Sequence, residues 1–182
     1  KMGADFIIAV NVTPDVSNRV QKIRKEPSIF HVLMQSIYIT TYAMAQHNLE
    51  DADIVIVAMG SLAMEAKVTM DMLREDRLKV GVLGLRVFRP FPKADVMKAL
   101  KKSRLIVVFD KNISYGLEGA TCSEIKSALY GSSARAVIRN FIVGLGGRDV
   151  KARELVDAVN KSLLSVKEGD LNKEYPEWIC DI

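Results

Sequence analysis

The stretch "IVIVA", Ile54 to Ala58, carries no polar residue on either side of its pleat, and "LIVVF", Leu105 to Phe109, does the same. Successive side chains of a strand point to opposite faces, so a run that is apolar throughout must be covered on both. Antiparallel strands with one wet face alternate apolar and polar residues, whereas parallel strands between two helical layers do not. The intervening segments provide the cover. Strands at Ile54–Ala58, Lys79–Val87, Leu105–Phe109 and Val137–Val143 alternate with helices at Leu62–Glu75, Lys93–Lys101, Leu117–Leu129 and Ala152–Ser165. That alternation predicts an α/β fold of three layers, a mostly parallel, Rossmann-like open sheet of about five strands with right-handed crossovers and helices on both faces.

The first fifty residues read less regularly. "DFIIAVNV", Asp5–Val12, is a further apolar run that ends in the turn chemistry of Thr13-Pro14-Asp15. A polar loop follows, and Ser28 is placed to cap a helix running from Ile29 to about Asn48. Its apolar positions Ile29, Leu33, Ile37 and Met44 recur at helical spacing, but Ile37 to Thr41 is rich in β-branched residues that resist a helix. At the other end, Lys167–Ile182 contains Tyr175, Pro176 and the one tryptophan, Trp178, and reads as a docked extension. A chain of 182 residues suits a single domain spanning 1–182.

Composition narrows the function classes. The net charge is +4, and the densest basic groups, Lys22, Arg24, Lys25 and Lys101, Lys102, are not interleaved with aromatics. They read as solvated faces, which speaks against a nucleic-acid partner. No segment has the apolar length of a membrane span, no signal peptide is visible, and Cys122 and Cys180 fit no ligand spacing. A reduced, cytoplasmic protein is the expectation.

Ligands of open α/β sheets sit beyond the carboxyl ends of the strands. Gly60-Ser61 opens a helix there and is placed to offer backbone N–H groups to a phosphate; the alternative is a serine N-cap in a tight turn. Gly116 and Gly119, in "SYGLEGA", stand at another helix start, for close packing or an anion contact. "GLGGRD" follows the last strand and lacks the third glycine of a dinucleotide fingerprint, so it reads as a turn. Asp110 and Arg86 are candidates for a salt bridge between strand ends. His31 and His47 are sixteen residues apart, too far for one metal. There is no nucleophile elbow, no P-loop and no His-Glu-x-x-His. No catalytic set and no metal site are nominated.

Four segments, "EDADIVIVAMGS", "KVGVLGLRVFRPFP", "VVFDKNISYGLEGA" and "FIVGLGGRDV", make residues 49–149 resemble one domain of the α subunit of 2-oxoacid (pyruvate):ferredoxin oxidoreductases. The resemblance implies a fold like the transketolase C-terminal domain. Strand 79–87 would lie beside strand 54–58, with strand 105–109 on its other side and strand 137–143 beyond. It also implies a scaffold and subunit-contact role. The family decarboxylates 2-oxoacids oxidatively with thiamine diphosphate and iron–sulfur clusters, which its other parts hold, so no cofactor is expected in this chain. Residues 3–54, carried by "GADFIIAVNVTPD" and "PSIFHVLMQSIYITTYAMAQHNLEDADIVI", resemble the C-terminal part of patatin-like phospholipases, without that family's serine–aspartate dyad.

The segments are then 1–52 patatin-like, 53–166 oxidoreductase-like, and 167–182 the extension, with "LEDADIVI" shared at the seam. Three functions stand open. One is a chimera, natural or designed, without a complete active site. Another is a natural oxidoreductase α-subunit domain that acts only with partner subunits. The third is a small-molecule module binding phosphate or nucleotide through Gly60, Ser61, Gly116 and Gly119. An apolar edge strand at Asp5–Val12 would also suit a homodimer.

Overall fold

The computed structural model describes residues 43–114, 117–170 and 175–179. The chain order is β1 (Met44–His47), β2 (Ile54–Met59), α1 (Ser61–Glu75), β3 (Val80–Leu85), α2 (Lys93–Leu100), β4 (Leu105–Asp110), α3 (Ala120–Leu129), β5 (Val137–Val143), a 3-10 turn (Leu145–Gly147), α4 (Ala152–Lys167) and β6 (Glu177–Ile179). The strands form a sheet in the order β1-β3-β2-β4-β5-β6. All neighbours are parallel except β1, which runs antiparallel to β3. The expected central order is present.

The two-sided apolar pattern is used as the sequence requires. Ile54, Ile56 and Ala58 of β2 enter one cluster with Val107 and Phe109 of β4. In that cluster Leu62, Ala66 and Leu73 of α1 meet Leu155 and Val159 of α4. Val55 and Val57, on the opposite pleat, join Ile106 and Val108 under Val96 and Leu100 of α2 and Ile125 of α3. Each Val, Leu, Ile or Phe among them, fully buried, stabilises the fold by about 1.5–3 kcal/mol. Thr69 of α1 joins the two helices of the first layer, its hydroxyl donating to the Ala152 carbonyl at 3.2 Å.

Three expectations need correction. The helix expected to reach Asn48 does not: Met44–His47 is a strand, while residues 29–42 lie outside the described set. The open edge of β3 overrides the local periodicity, because it offers a full ladder of backbone partners (Met44 against Leu85 through His47 against Val82). The edge beside β3 therefore holds β1; the expected edge strand Asp5–Val12, with its dimer contact, lies outside the described residues. The sheet has six strands among the described residues, because the C-terminal extension docks by adding β6 to β5. Trp178 is nevertheless half exposed; backbone pairing with β5 and the Lys161–Glu177 ion pair at 2.5 Å also hold the tail. Helix α3 begins at Ala120, three residues later than expected, and Leu117 is exposed.

The turn from β1 to β2 is fastened by Arg74 near the end of α1. Its guanidinium donates to the Val80 carbonyl at 2.6 Å, to the Asn48 carbonyl at 3.1 Å, and to both carboxylate oxygens of Asp51. Opposite that turn stands Gly81, where a Cβ would lie 2.7 Å from the Asn48 carbonyl oxygen and from a Leu49 methyl. Gly81→Ala should therefore push the turn off β3 and lower stability by about 1–3 kcal/mol, read as a fall in the urea midpoint. An unchanged midpoint would show that the turn is not held this tightly.

Candidate functional site

Chain connections leave β2 and β4 in opposite directions, β2 toward β3 and β4 toward β5, so the switch in the sheet lies between them. Two helix starts flank it, that of α1 at Gly60-Ser61 and that of α3 at Gly119-Ala120. They are in opposite states.

The start of α3 is filled by the chain's own side chains. Gly119 N–H donates to Asn140 Oδ1 at 2.8 Å and Ala120 N–H to Asn112 Oδ1 at 2.9 Å. Thr121 and Cys122 N–H donate to the two carboxylate oxygens of Asp110 at 3.0 and 3.2 Å. Asn140 in turn donates from Nδ2 to Asp110 at 3.0 Å and to the Val108 carbonyl at 3.1 Å. Helix starts attract anions, and here Asp110, 1% exposed, is the anion. Burial raises its pKa above the usual carboxylate value, and hydrogen bonds from Thr121, Cys122 and Asn140 pull it back. A Cβ at position 119 would collide with this carboxylate, so the close approach requires glycine. The Gly119 N–H, expected to offer an anion contact or close packing, is thus taken by the Asn140 amide oxygen; Gly116 lies outside the described residues.

Glu118, buried just before the helix, accepts from Cys122 Sγ at 3.3 Å and Ser123 Oγ at 3.1 Å and pairs with Lys126. Burial and the Glu118 charge push the Cys122 thiol well above its ordinary value, which keeps it protonated and unreactive. Asn140 and Glu118 went unremarked in the sequence. The signal for Asn140 was present, a polar residue within the apolar strand "VIRNFIV".

The start of α1 is open. Gly60 adopts φ 63 as N-cap, no side chain caps the helix, and its first turn holds no acidic residue. Ser61 is the first helical residue, so the expected serine cap is replaced by glycine. Beside it lies a cleft of about 390 Å³ bounded by α1, the end of β3 and β1. Its floor is small: a Cβ on Gly84 would lie 3.2 Å from the Ala63 Cβ and 3.7 Å from that of Ala45. Lys67, His47 and Arg86 stand on its rim. Burial, then Lys67 and Arg86, lower the His47 pKa, with Asp71 opposing. A larger cleft of about 430 Å³ opens at the amino ends of the strands, where Glu50 and Asp95 stand among Lys98, Lys101 and Lys102.

Arg89 pairs with Glu124 at 2.8 Å and lies 4.2 Å above the Phe88 ring. Asp110 and Arg86 do not form the expected bridge, because β2 separates β3 from β4 and Asp110 turns to α3. Gly144, Gly146 and Gly147 all have positive φ, the turn that "GLGGRD" suggested. Among the described residues no group of three or more His, Cys, Asp or Glu is placed to hold a metal ion. No described helix is long and apolar enough to cross a membrane.

Comparison with known proteins matches residues 52–155 to the family described as pyruvate:ferredoxin oxidoreductase core domain II, more than half of the chain. The ketoisovalerate oxidoreductase subunit VorA of Pyrococcus horikoshii is 41% identical over 130 residues, 71% of this chain and 33% of that protein. The pyruvate synthase subunit PorA of Pyrococcus furiosus is 39% identical over 134 residues, 74% of this chain and 34% of that protein. The chain therefore spans about a third of the length of these curated relatives. Among solved structures, a 2-oxoglutarate:ferredoxin oxidoreductase from Magnetococcus marinus superimposes with a TM-score of 0.54 at 18% identity. It covers 84% of this chain and 24% of its own, and supports the fold.

The internal cap makes two predictions. Asp110→Ala strands the Asn140 amide and two helix N–H groups and should cost about 1–3 kcal/mol, measured by urea unfolding at neutral pH. Asp110→Asn tests the charge. Because burial raises the folded-state pKa of Asp110, its protonated form favours the native state. The stabilising contribution is full below the unfolded value of about 3.9 and is lost as pH rises through the higher folded value. The stability difference, wild type minus Asp110→Asn, should therefore shrink as pH rises across that window. A difference independent of pH would contradict the buried carboxylate.

Proposed function

The chain belongs to the pyruvate:ferredoxin oxidoreductase core domain II family, and from that premise we propose that it is a structural, subunit-contact domain of a 2-oxoacid:ferredoxin oxidoreductase α subunit. It contributes to oxidative decarboxylation of a 2-oxoacid only within an assembly that includes the other subunits. The observation that carries this reading is the self-filled start of α3. At the carboxyl end of β4, Asp110, Asn112 and Asn140 take the backbone donors that a catalytic domain of this sheet type leaves for a ligand.

The described residues do not fit the redox and thiamine groups that the family resemblance implies. An iron–sulfur cluster needs a set of cysteine thiolates, and the described residues hold Cys122, buried and kept protonated. A diphosphate carried on a divalent cation needs clustered oxygen ligands, and no such cluster is present among the described residues. The domain's part in the reaction is to hold neighbouring subunits in place. Its exposed apolar side chains, Val68 on α1 and Tyr130 after α3, suit such contacts, and a buried free thiol suits a reducing cytoplasm.

A second reading keeps residues 3–54 as a patatin-like piece joined to this domain. It is favoured by the family match beginning at residue 52, beside the seam placed at Asp53. Sequencing of the source locus decides it: a frame that continues upstream as oxidoreductase α-subunit sequence would remove the chimera.

For the main reading, the tagged 182-residue chain should retain the thiamine-binding and iron–sulfur subunits of a 2-oxoacid:ferredoxin oxidoreductase in a pull-down. Alone, with pyruvate or 2-oxoisovalerate, coenzyme A and a viologen dye, it should reduce no dye. Turnover by the chain alone, or failure to retain any subunit, would overturn the assignment.

A further inference from the structure

The cleft beside α1 is not explained by the subunit-contact role, and three independent features of it point the same way. First, it is a gap produced by small side chains. Ala45, Ala63 and Gly84 meet where larger residues would close the space between α1 and β1, leaving about 390 Å³ open at the carboxyl ends of β2 and β3. That volume lies within the range of small-molecule sites, roughly 300–1,000 Å³. Second, its rim carries positive groups from three different elements: His47 from β1, Lys67 from α1 and Arg86 from the end of β3. Among the described ion pairs none engages Lys67 or Arg86, in contrast to Arg74 and Arg89 nearby in sequence. Third, the uncapped start of α1 at Gly60 lines the same space.

We propose that this cleft binds the phosphate group of a small phosphate ester, with Lys67 and Arg86 as its charged partners and Gly60-Ser61 presenting helix N–H groups. The apolar wall formed by Ala45, Ala63 and Met64 takes the body of the ester. His47 completes the site as a titrating partner. Lys67 and Arg86 face it and disfavour its cationic form, and Asp71 on α1 favours that form. A bound dianion offsets the two cations, so occupancy and protonation of His47 favour each other. The site is independent of the subunit-contact reading, since it needs no other chain, and either can fail without the other.

The test is a titration of the full chain with inorganic phosphate and with phenyl phosphate, followed by NMR of the backbone amides and of the His47 ring. Saturable shifts at Gly60, Ser61 and His47 are expected, with phenyl phosphate the tighter ligand. The His47 pKa should rise on saturation. Lys67→Gln on α1 and Arg86→Gln just after β3, both surface changes, should each weaken binding by about tenfold, and Arg89→Gln, outside the cleft, should leave it unchanged. The proposal is overturned by shifts that do not saturate, by equal binding in all three variants, or by a His47 pKa that ignores phosphate. Binding of a hexaglutamate peptide without binding of either phosphate would overturn it too, and would reassign the cleft to an acidic protein segment.

Discussion

Strands β2 and β4 have no face that can meet water, and most of the architecture follows from that constraint. Their side chains alternate between two separate apolar clusters, each needing its own pair of helices. Burial on both pleats supplies the main cohesive term, since hydrophobic stabilisation scales with the apolar area removed from water. It also sets the topology. A parallel strand can be reached only through a crossover, and crossovers of one hand place successive helices on alternate faces according to the direction of travel. The reversal of direction between β2 and β4 creates two helix starts at one end of the sheet.

Those two starts show how the same local geometry is put to different uses. At α3 the positive end of the helix meets Asp110, a carboxylate from the strand that precedes it, and Asn140 from the next strand closes the remaining contacts. A charge is taken out of water there, at a cost that only complete hydrogen bonding offsets. At α1 no such group exists: glycine caps the helix, its first turn holds no acidic residue, and Lys67 and Arg86 act on His47 with Asp71 opposing them. One end of the sheet thus holds an anion of its own beside an open cleft that is proposed to take one from outside.

The central strands were legible because they depend on short-range pattern: "IVIVA" and "LIVVF" admit few alternatives, and four helices lie close to where periodicity put them, whereas the order of the strands came only from the family resemblance. Strand β1 was not legible, because Met44–His47 is shaped by the free edge of β3, a partner about forty residues away, and not by its own spacing. The cap of α3 was hidden for a related reason. Asp110, Gly119 and Asn140 come together only when β4, α3 and β5 are in place, and nothing in the spacing of those residues announces it. The cationic cleft likewise gathers residues 47, 60, 67 and 86; sequence reading remarked His47, Gly60 and Arg86 separately, in other roles or alone, and passed over Lys67.

Native-state hydrogen exchange tests the two-sided burial of the central strands most directly. Amides of Ile54–Ala58 and Leu105–Phe109 should exchange only through global unfolding and be the slowest in the chain, while those of the edge strands β1 and β6 exchange sooner through local opening. Edge strands protected as strongly as β2 and β4, or central amides that exchange freely, would contradict the account.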